Sequence, residues 1–275
     1  MRLLHNKSFA GRPALLAACA LLTFSACQKV IHPNLGSVSP QLDIQGNVTN
    51  TPGPYTVSLS QSVGFYAENQ YPAVSGAVIK ISDSTAGITD SLTETAAGTG
   101  IYSTHTIQGV PGHTYTLFVQ TGGNTYTASS TMPQPVTLDS VTYTINNLTG
   151  KKNIQPIPNF QDPAGIANYY QFVVYVNSVQ VQKTFVFDDE FSDGRYIHEA
   201  LQTDTSDIHD GDTVLLDMYC IDENVYNYFN EVVEITDPNQ QSQNAAPANP
   251  TSNIMGGSLG YFSAHTVSGK TTIAP

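Results

Sequence analysis

The sequence is poor in charged and basic residues and contains no tryptophan. Only 12% of its 275 residues are charged, and ten Lys and Arg stand against 22 Asp and Glu. This balance argues against a nucleic-acid partner, because phosphate contacts require Lys and Arg. Thr, Ser, Tyr, Val, Gly and Pro are abundant instead. Because β-branched and aromatic side chains suit a pleated, half-buried surface, the composition predicts a β-rich protein.

The N-terminal apolar run is too short to span a bilayer. Ala14 to Phe24 is 11 residues long, where a membrane-spanning helix needs about 20. Three basic residues precede this run, which is typical of a secretory signal. Ser25 and Ala26 then lead directly to Cys27, which resembles a bacterial lipobox. We predict a lipoprotein signal peptide over residues 1–26 and lipidation of Cys27; the alternative is an ordinary export signal with an unmodified cysteine.

Cysteine is too scarce to stabilise the mature chain by disulfides. With Cys19 in the signal and Cys27 lipidated, Cys220 is the one thiol left. Stability must therefore come from a hydrophobic core. Cys220 shares one face of the alternating pattern "TVLLDMYC" with apolar residues, so we predict a small core residue and not a reactive thiol. Cleavage of the signal leaves seven basic and 22 acidic residues, and so a net charge of −15.

Turn residues divide the mature chain into short strands. A proline-containing tether is predicted over residues 27–40, followed by alternating strands such as "LDIQGNV" and "VSGAVIKISD". Gly122-Gly123-Asn124 predicts a hairpin turn. We predict a β-sandwich domain over residues 41–133 and, beyond the proline-rich "TMPQPV", a second β-rich domain over residues 137–275.

The second domain has two distinctive segments. Tyr169 to Val176 is apolar on both faces, which predicts a central or doubly covered strand. One amphipathic helix is predicted at about residues 222–235, where Asp222 can cap helically spaced apolar residues, namely Val225, Phe229, Val232 and Val233. We expect this helix to cover one face of the second sheet. The polar stretch "NQQSQNAAPANPTSN" that follows predicts a long loop.

Four segments carry a resemblance to a known family. These are "VSGAVIKISD", "GIYSTHTIQGVPGHTYTLFVQTGGNTYTASSTMP", "DDEFSDGR" and "PANPTSNIMGGSLGYFSAHTVS". In this order, from Leu42 to Val267, they resemble the Bacteroidota lipoproteins labelled domain of unknown function 4249. The first domain also resembles the carboxypeptidase-regulatory-like or transthyretin-like β-sandwich, through Val74 to Ala77, Gly100 to Tyr102 and Pro111 to Leu117. The expected fold is mainly β: an Ig-like or transthyretin-like sandwich, then a second antiparallel β domain carrying one amphipathic helix.

The family resemblance implies a cellular context and no chemistry. Its members resemble outer-membrane lipoproteins encoded near TonB-dependent receptors, and no catalytic residue or cofactor can be carried over. We therefore expect a non-enzymatic, lipid-anchored protein that serves as an accessory or ligand-binding component beside a TonB-dependent transporter. The alternatives are a structural surface lipoprotein without a soluble ligand and a hydrolase. Both faces of the outer membrane stay open, because no acidic residue lies between Cys27 and Asp43 to indicate surface display.

Motifs that suggest enzymes have simpler interpretations. Gly256 to Gly260 reads Gly-x-Ser-x-Gly, but a strand pattern follows it and no acidic residue occurs after Ser258, so we predict a turn. Six histidines follow the signal without a zinc-ligand spacing, and each is predicted to be a surface or loop residue: His32, His105, His113, His198, His209 and His265. Aromatic residues in a cleft would favour binding, and the candidates near turns are Tyr66, Tyr71, Tyr196 and Tyr261.

The segment "FDDEFSDGR" concentrates negative charge. Four carboxylates fall within six residues, those of Asp188, Asp189, Glu190 and Asp193. Two like charges about 4 Å apart repel by ~1 kcal/mol in water, which favours full solvation or a hard cation such as Ca²⁺. The spacing is not that of an EF-hand. We predict a solvated turn in which Arg195 pairs with one carboxylate, and at most a weak cation site of millimolar affinity.

Overall fold

Alternating apolar residues build a mainly β fold, which a computed structural model describes for residues 39–64, 70–147, 150–236 and 249–275. The first half contains β1 (Leu42–Thr49), β2 (Thr56–Gln61), β3 (Val78–Asp83), β4 (Ile88–Glu94), β5 (Ile101–Ser103), β6 (Thr114–Thr121) and β7 (Asn124–Thr131). The second half contains β8 (Ser140–Asn146), β9 (Asn153–Gln161), β10 (Tyr169–Val176), β11 (Val179–Gln180), β12 (Phe185–Asp188), β13 (Tyr196–Ile197), β14 (Thr213–Ile221), α1 (Glu223–Thr236), β15 (Ile254–Met255) and β16 (Leu259–Ile273). The predicted mainly β class with one helix is confirmed for these ranges.

Several predicted features lie outside the described residues. These are the signal peptide, Cys27, the tether up to residue 38, Tyr66 and residues 237–248 of the polar loop. Among the described helices, none is long and apolar enough to cross a membrane.

The first core lies between two layers of strands. One layer has the order β16-β1-β2-β5-β4 and the other β4-β3-β6-β7-β15, so β4 belongs to both. Ile79 pairs with Val119 and Ile81 with Leu117, and all four side chains are fully buried. Val78, which precedes Ile79 and faces outward, is half exposed. The predicted β-sandwich is therefore confirmed.

The second core lies between β10–β14–β16 and the small sheet β13-β9-β8. β10 pairs with β14 on one side and with β11 and β12 on the other, which confirms the predicted central strand. Phe160 packs edge-on against Tyr170 at 4.8 Å between ring centroids. Cys220 is buried beside them in the same core, as predicted.

The last strand belongs to both cores. Residues 259–265 of β16 pair in parallel with β1, and residues 266–273 pair antiparallel with β14. Phe262 and Ala264 lie in the first core and Ala274 in the second. Gly260 has a φ of +89°, and a Cβ there would lie 2.0 Å from the carbonyl oxygen of Ile44. The predicted domains 41–133 and 137–275 therefore share this strand, and their boundaries stay a prediction.

The helix is fixed at its N-terminus by Asp222. Its Oδ1 accepts a hydrogen bond from the Val225 amide at 3.0 Å, so the predicted cap is confirmed. Its Oδ2 accepts from Ser130 Oγ at 2.5 Å, and Ser130 Oγ accepts from the Ala264 amide at 2.8 Å. One carboxylate thus links α1, β7 and β16. Burial raises the pKa of Asp222, although these hydrogen bonds lower it in part.

Candidate functional site

Two loops of the second half of the chain meet beside the start of β10. The first, residues 162–168, connects β9 to β10, and the second, residues 189–195, connects β12 to β13. Because β10 and β12 are antiparallel with Tyr169 opposite Asp188, the start of β10 lies beside the end of β12. The strand register therefore brings together segments that are distant in the sequence.

Three carboxylates converge where these loops meet. Asp162, Asp189 and Asp193 each place one oxygen so that all three oxygens lie within 4.8 Å of one another. We call these three residues the Asp cluster. Asp162 is 1% exposed and Asp189 is 5% exposed, whereas Asp193 lies at the surface. The cluster is therefore partly enclosed by protein and open on one side.

Neutral donors hold the Asp cluster in place. Asp162 accepts hydrogen bonds from Tyr170 Oη at 2.5 Å and from the Gly194 amide at 2.9 Å. Asp189 accepts from the Asn168 amide at 3.0 Å, and Asp193 from the Gly165 amide at 2.7 Å. Within the described ranges, no Lys, Arg or His forms an ion pair with these three carboxylates.

The electrostatics follow from this arrangement. Burial raises the pKa of Asp189, and the charges of Asp162 and Asp193 raise it further, while the hydrogen bond from the Asn168 amide lowers it. Burial also raises the pKa of Tyr170, and its hydrogen bond to Asp162 acts in the same direction. The Tyr170 hydroxyl therefore stays protonated and donates to Asp162. The cluster concentrates negative charge that no cationic side chain of the described ranges neutralises in an ion pair.

The structure separates the four carboxylates that the sequence grouped. Asp189 and Asp193 belong to the Asp cluster, whereas Glu190 is exposed and lies outside it. Asp188 instead accepts a hydrogen bond from Tyr226 Oη of α1 at 2.5 Å. The predicted ion pair of Arg195 is wrong for the part of the chain that is described, since Arg195 contacts no carboxylate there. The prediction of a fully solvated turn is also wrong for Asp189, because its side chain is buried.

Asp162 was missed by the sequence reasoning. Its sequence signal is the turn composition of "DPAG" after β9, which marks a loop but not its neighbours. Only the antiparallel register of β10 and β12 brings that loop to residues 189–195.

A cleft of about 610 Å³ lies beside the 189–195 loop. Its wall includes four aromatic and three charged residues: Phe187, Phe191, Tyr196, Tyr226, Asp188, Arg195 and Glu199. The Phe191 side chain is 81% exposed and Tyr196 is 47% exposed. We call this feature the aromatic cleft. Its volume lies within the range of about 300–1,000 Å³ that is usual for ligand pockets.

The other predicted aromatic candidates lie away from this cleft. Tyr261 packs against Tyr228 and Phe229 of α1, with ring centroids 5.2 and 4.8 Å away. Tyr71 is exposed and does not line the aromatic cleft. Of the described candidates, only Tyr196 contributes to it.

The Gly-x-Ser-x-Gly motif forms a turn, as predicted. Residues 256–258 connect β15 to β16, so no helix follows Ser258. The serine is buried, and its Oγ has no hydrogen-bond partner among the described residues. These features differ from an exposed nucleophile between a strand and a helix.

The predicted surface or loop position is wrong for His265. This residue lies in β16, is 4% exposed, and stacks on Tyr219 at 4.6 Å between ring centroids. Its Nδ1 is 2.9 Å from Ser263 Oγ. Burial lowers the pKa of His265 to about 4. The strand is paired on both sides near this position, which a short alternating pattern could not reveal.

Comparison with known families identifies one family whose model matches most of the chain. Residues 28–271 match the model of the family described as Domain of unknown function (DUF4249). The chain belongs to this family. No curated protein matches it.

Proposed function

We propose that the chain is a non-enzymatic outer-membrane lipoprotein of a Bacteroidota cell envelope, anchored through Cys27. It binds a ligand in the aromatic cleft and acts as an accessory component beside a TonB-dependent transporter. The single observation that carries the binding role is the exposure of Phe191 and Tyr196 in a cleft of about 610 Å³. Two exposed aromatic side chains on the wall of one cleft form the kind of contiguous apolar surface that marks ligand-binding grooves.

The chemistry of the cleft suggests the kind of ligand. The rings of Phe191 and Tyr196 offer apolar surface, while Arg195 and Glu199 offer one positive and one negative group on the same wall. Such a mixture fits a small ligand with an apolar face and several polar groups. Oligosaccharides and short peptides both have this character, so both belong in the test.

The binding role can be tested with single aromatic variants. Panels of oligosaccharides and peptides are screened by thermal shift against the purified protein without its signal peptide and lipid anchor, and hits are titrated by calorimetry. We expect Phe191→Ala and Tyr196→Ala each to weaken binding by about tenfold, which corresponds to ~1.4 kcal/mol. Tyr71→Ala is the matched control, because Tyr71 is also an exposed tyrosine but lies outside the cleft. Ligands that bind both cleft variants as tightly as the wild type would contradict binding in the aromatic cleft, and the absence of any ligand would favour a structural role.

The anchor and the partner need separate measurements. Cys27→Ser is expected to abolish incorporation of a fatty-acid analogue, and label retained in this variant would refute lipidation at Cys27. The native lipoprotein is then purified from solubilised outer membranes. Recovery of a β-barrel transporter with it supports the accessory role, and a protein that purifies alone contradicts that role.

A further inference from the structure

The Asp cluster and the neighbouring Asn168 have the composition and arrangement of a cation site. We propose that Asp162, Asp189, Asp193 and the side-chain oxygen of Asn168 bind one divalent cation, and that Ca²⁺ fits the site best. This inference does not depend on the ligand proposed for the aromatic cleft.

The distances between the carboxylates suit a large, hard ion. Three oxygens that lie within 4.8 Å of one another are all within about 2.8 Å of a common point. Ca²⁺–oxygen distances are about 2.3–2.6 Å, so an inward movement of a few tenths of an ångström completes the contact. Mg²⁺ requires about 2.0–2.1 Å and a near-ideal octahedron, which demands a larger contraction. The spacing therefore favours Ca²⁺ over Mg²⁺.

Asn168 supplies evidence that is independent of the acidic cluster. Its side chain is nine-tenths buried, and its Oδ1 is buried without a hydrogen-bond partner among the described residues. Buried polar atoms are nearly always paired, so this oxygen requires a partner. Carboxamide oxygens are common Ca²⁺ ligands.

The strand register directs the Asn168 side chain toward the Asp cluster. Asn168 lies opposite Asp189, since the Asp189 amide donates to the Asn168 carbonyl oxygen at 3.3 Å and the Asn168 amide donates to Asp189 Oδ2 at 3.0 Å. Residues opposite each other in an antiparallel pair project to the same face. Asn168 also shares this face with Tyr170, two residues further on, whose hydroxyl reaches Asp162. Its unpaired oxygen therefore lies on the side where the carboxylates converge.

The electrostatics also favour a bound cation. Backbone amides and the Tyr170 hydroxyl, all neutral, donate hydrogen bonds to the Asp cluster, and two of its carboxylates are buried. Three carboxylate oxygens this close together repel one another, and a divalent ion at the common point would offset that repulsion. Waters on the open side, next to the exposed Asp193, can complete the six to eight oxygens that Ca²⁺ takes.

A bound ion would act on the neighbouring cleft. Asp189 and Asp193 lie in the same loop as Phe191 and Arg195, which line the aromatic cleft. An ion coordinated by Asp189 and Asp193 of this loop and by Asp162 of the neighbouring loop would fix the orientation of that wall. The proposed site is thus a structural cation site that orders a loop.

Direct binding measurements test the site. Protein treated with chelator is titrated with CaCl₂ and, separately, with MgCl₂ by calorimetry, and melting temperatures are recorded with each ion. We expect a Ca²⁺ dissociation constant on the order of 10⁻⁴ M or tighter, and binding of Mg²⁺ about tenfold weaker. Asp193→Asn should weaken Ca²⁺ binding by about tenfold or more, because a charged ligand becomes neutral. Glu190→Gln removes an equal charge from an exposed residue outside the Asp cluster, and should change the affinity by less than about twofold.

The variants also separate binding from folding. Asp162→Asn should abolish the site, but Asp162 is buried and its loss can destabilise the fold; Asp193 is exposed, so Asp193→Asn keeps the test interpretable. Absence of a heat signal and of a melting shift with millimolar CaCl₂ in the wild type would overturn the proposal. Equal losses in Asp193→Asn and Glu190→Gln would overturn it too, because they would indicate general charge screening.

Discussion

Protonation of His265 should destabilise this protein at mildly acidic pH. The side chain is buried within β16, stacked on Tyr219 and next to Ser263 Oγ. The ordinary pKa of histidine is 6.5, and burial lowers that of His265 to about 4. Below pH 6.5 the unfolded chain therefore binds a proton that the folded chain rejects until the pH approaches 4. Stability from the neutral imidazole is present above pH 6.5 and is lost as the pH falls to about 4.

The size of this effect follows from the difference between the two pKa values. One pKa unit corresponds to about 1.36 kcal/mol, so a displacement from 6.5 to about 4 corresponds to about 3 kcal/mol. Such a loss is a large fraction of a typical unfolding free energy of about 5–15 kcal/mol. Carboxylates titrate in the lower part of the same window, so the comparison must be made against a variant without this imidazole.

Urea unfolding of wild type and His265→Gln between pH 4 and pH 7.5 isolates the imidazole. Glutamine can still bond to Ser263 but does not titrate. We expect the wild type to lose about 3 kcal/mol more than the variant over this range, whatever the variant's stability at neutral pH. His198→Gln is the control, because His198 is exposed and this variant should follow the wild type. Parallel profiles for wild type and His265→Gln would refute the reasoning.

Two further predictions concern the links between α1, β16 and the first core. Asp222→Ala should lower the unfolding free energy by about 2–4 kcal/mol, since the helix loses its cap and Ser130 loses its acceptor, whereas Asp222→Asn keeps an acceptor and should lose about half as much. Equal losses in urea unfolding would show that the cap is unimportant. Gly260→Ala should cost at least about 2 kcal/mol more than Gly76→Ala, because both have positive φ but only Gly260 would bring a Cβ into contact with backbone. Similar melting temperatures for the two variants would contradict this.

Local patterns predicted the strands and the helix, because the relevant signals lie within a few residues. The turn at Gly122 and Gly123 is an example, since both residues have the positive φ that the sequence suggested. The helix cap at Asp222 is another. β9 escaped prediction because it contains Pro156 and Pro158, which usually interrupt strands. The two prolines are two residues apart, so their backbone nitrogens face the same edge of β9. β8 pairs with the other edge, and the missing N–H donors therefore cost no bond in that pairing.

Features that depend on long-range pairing could not be predicted. The parallel pairing of β1 with β16 joins segments at opposite ends of the described chain. Asp162 joins Asp189 and Asp193 only because β10 pairs with β12 in one particular register. Likewise, the burial of His265 depends on neighbours from β1 and β14. His265 is the last residue of β16 that pairs with β1, and the next residue is the first that pairs with β14.

The shared strand β16 sets the order in which the protein can mature. A growing chain makes β1 early, but its parallel neighbour, residues 259–265, emerges among the last. A chain that stops before Leu259 would expose one edge of β1 and one edge of β14 at the same time. Open strand edges promote association with other chains. Only a chain that contains residues 259–273 covers both edges at once, so we expect products truncated before β16 to aggregate and to be cleaved by proteases more readily.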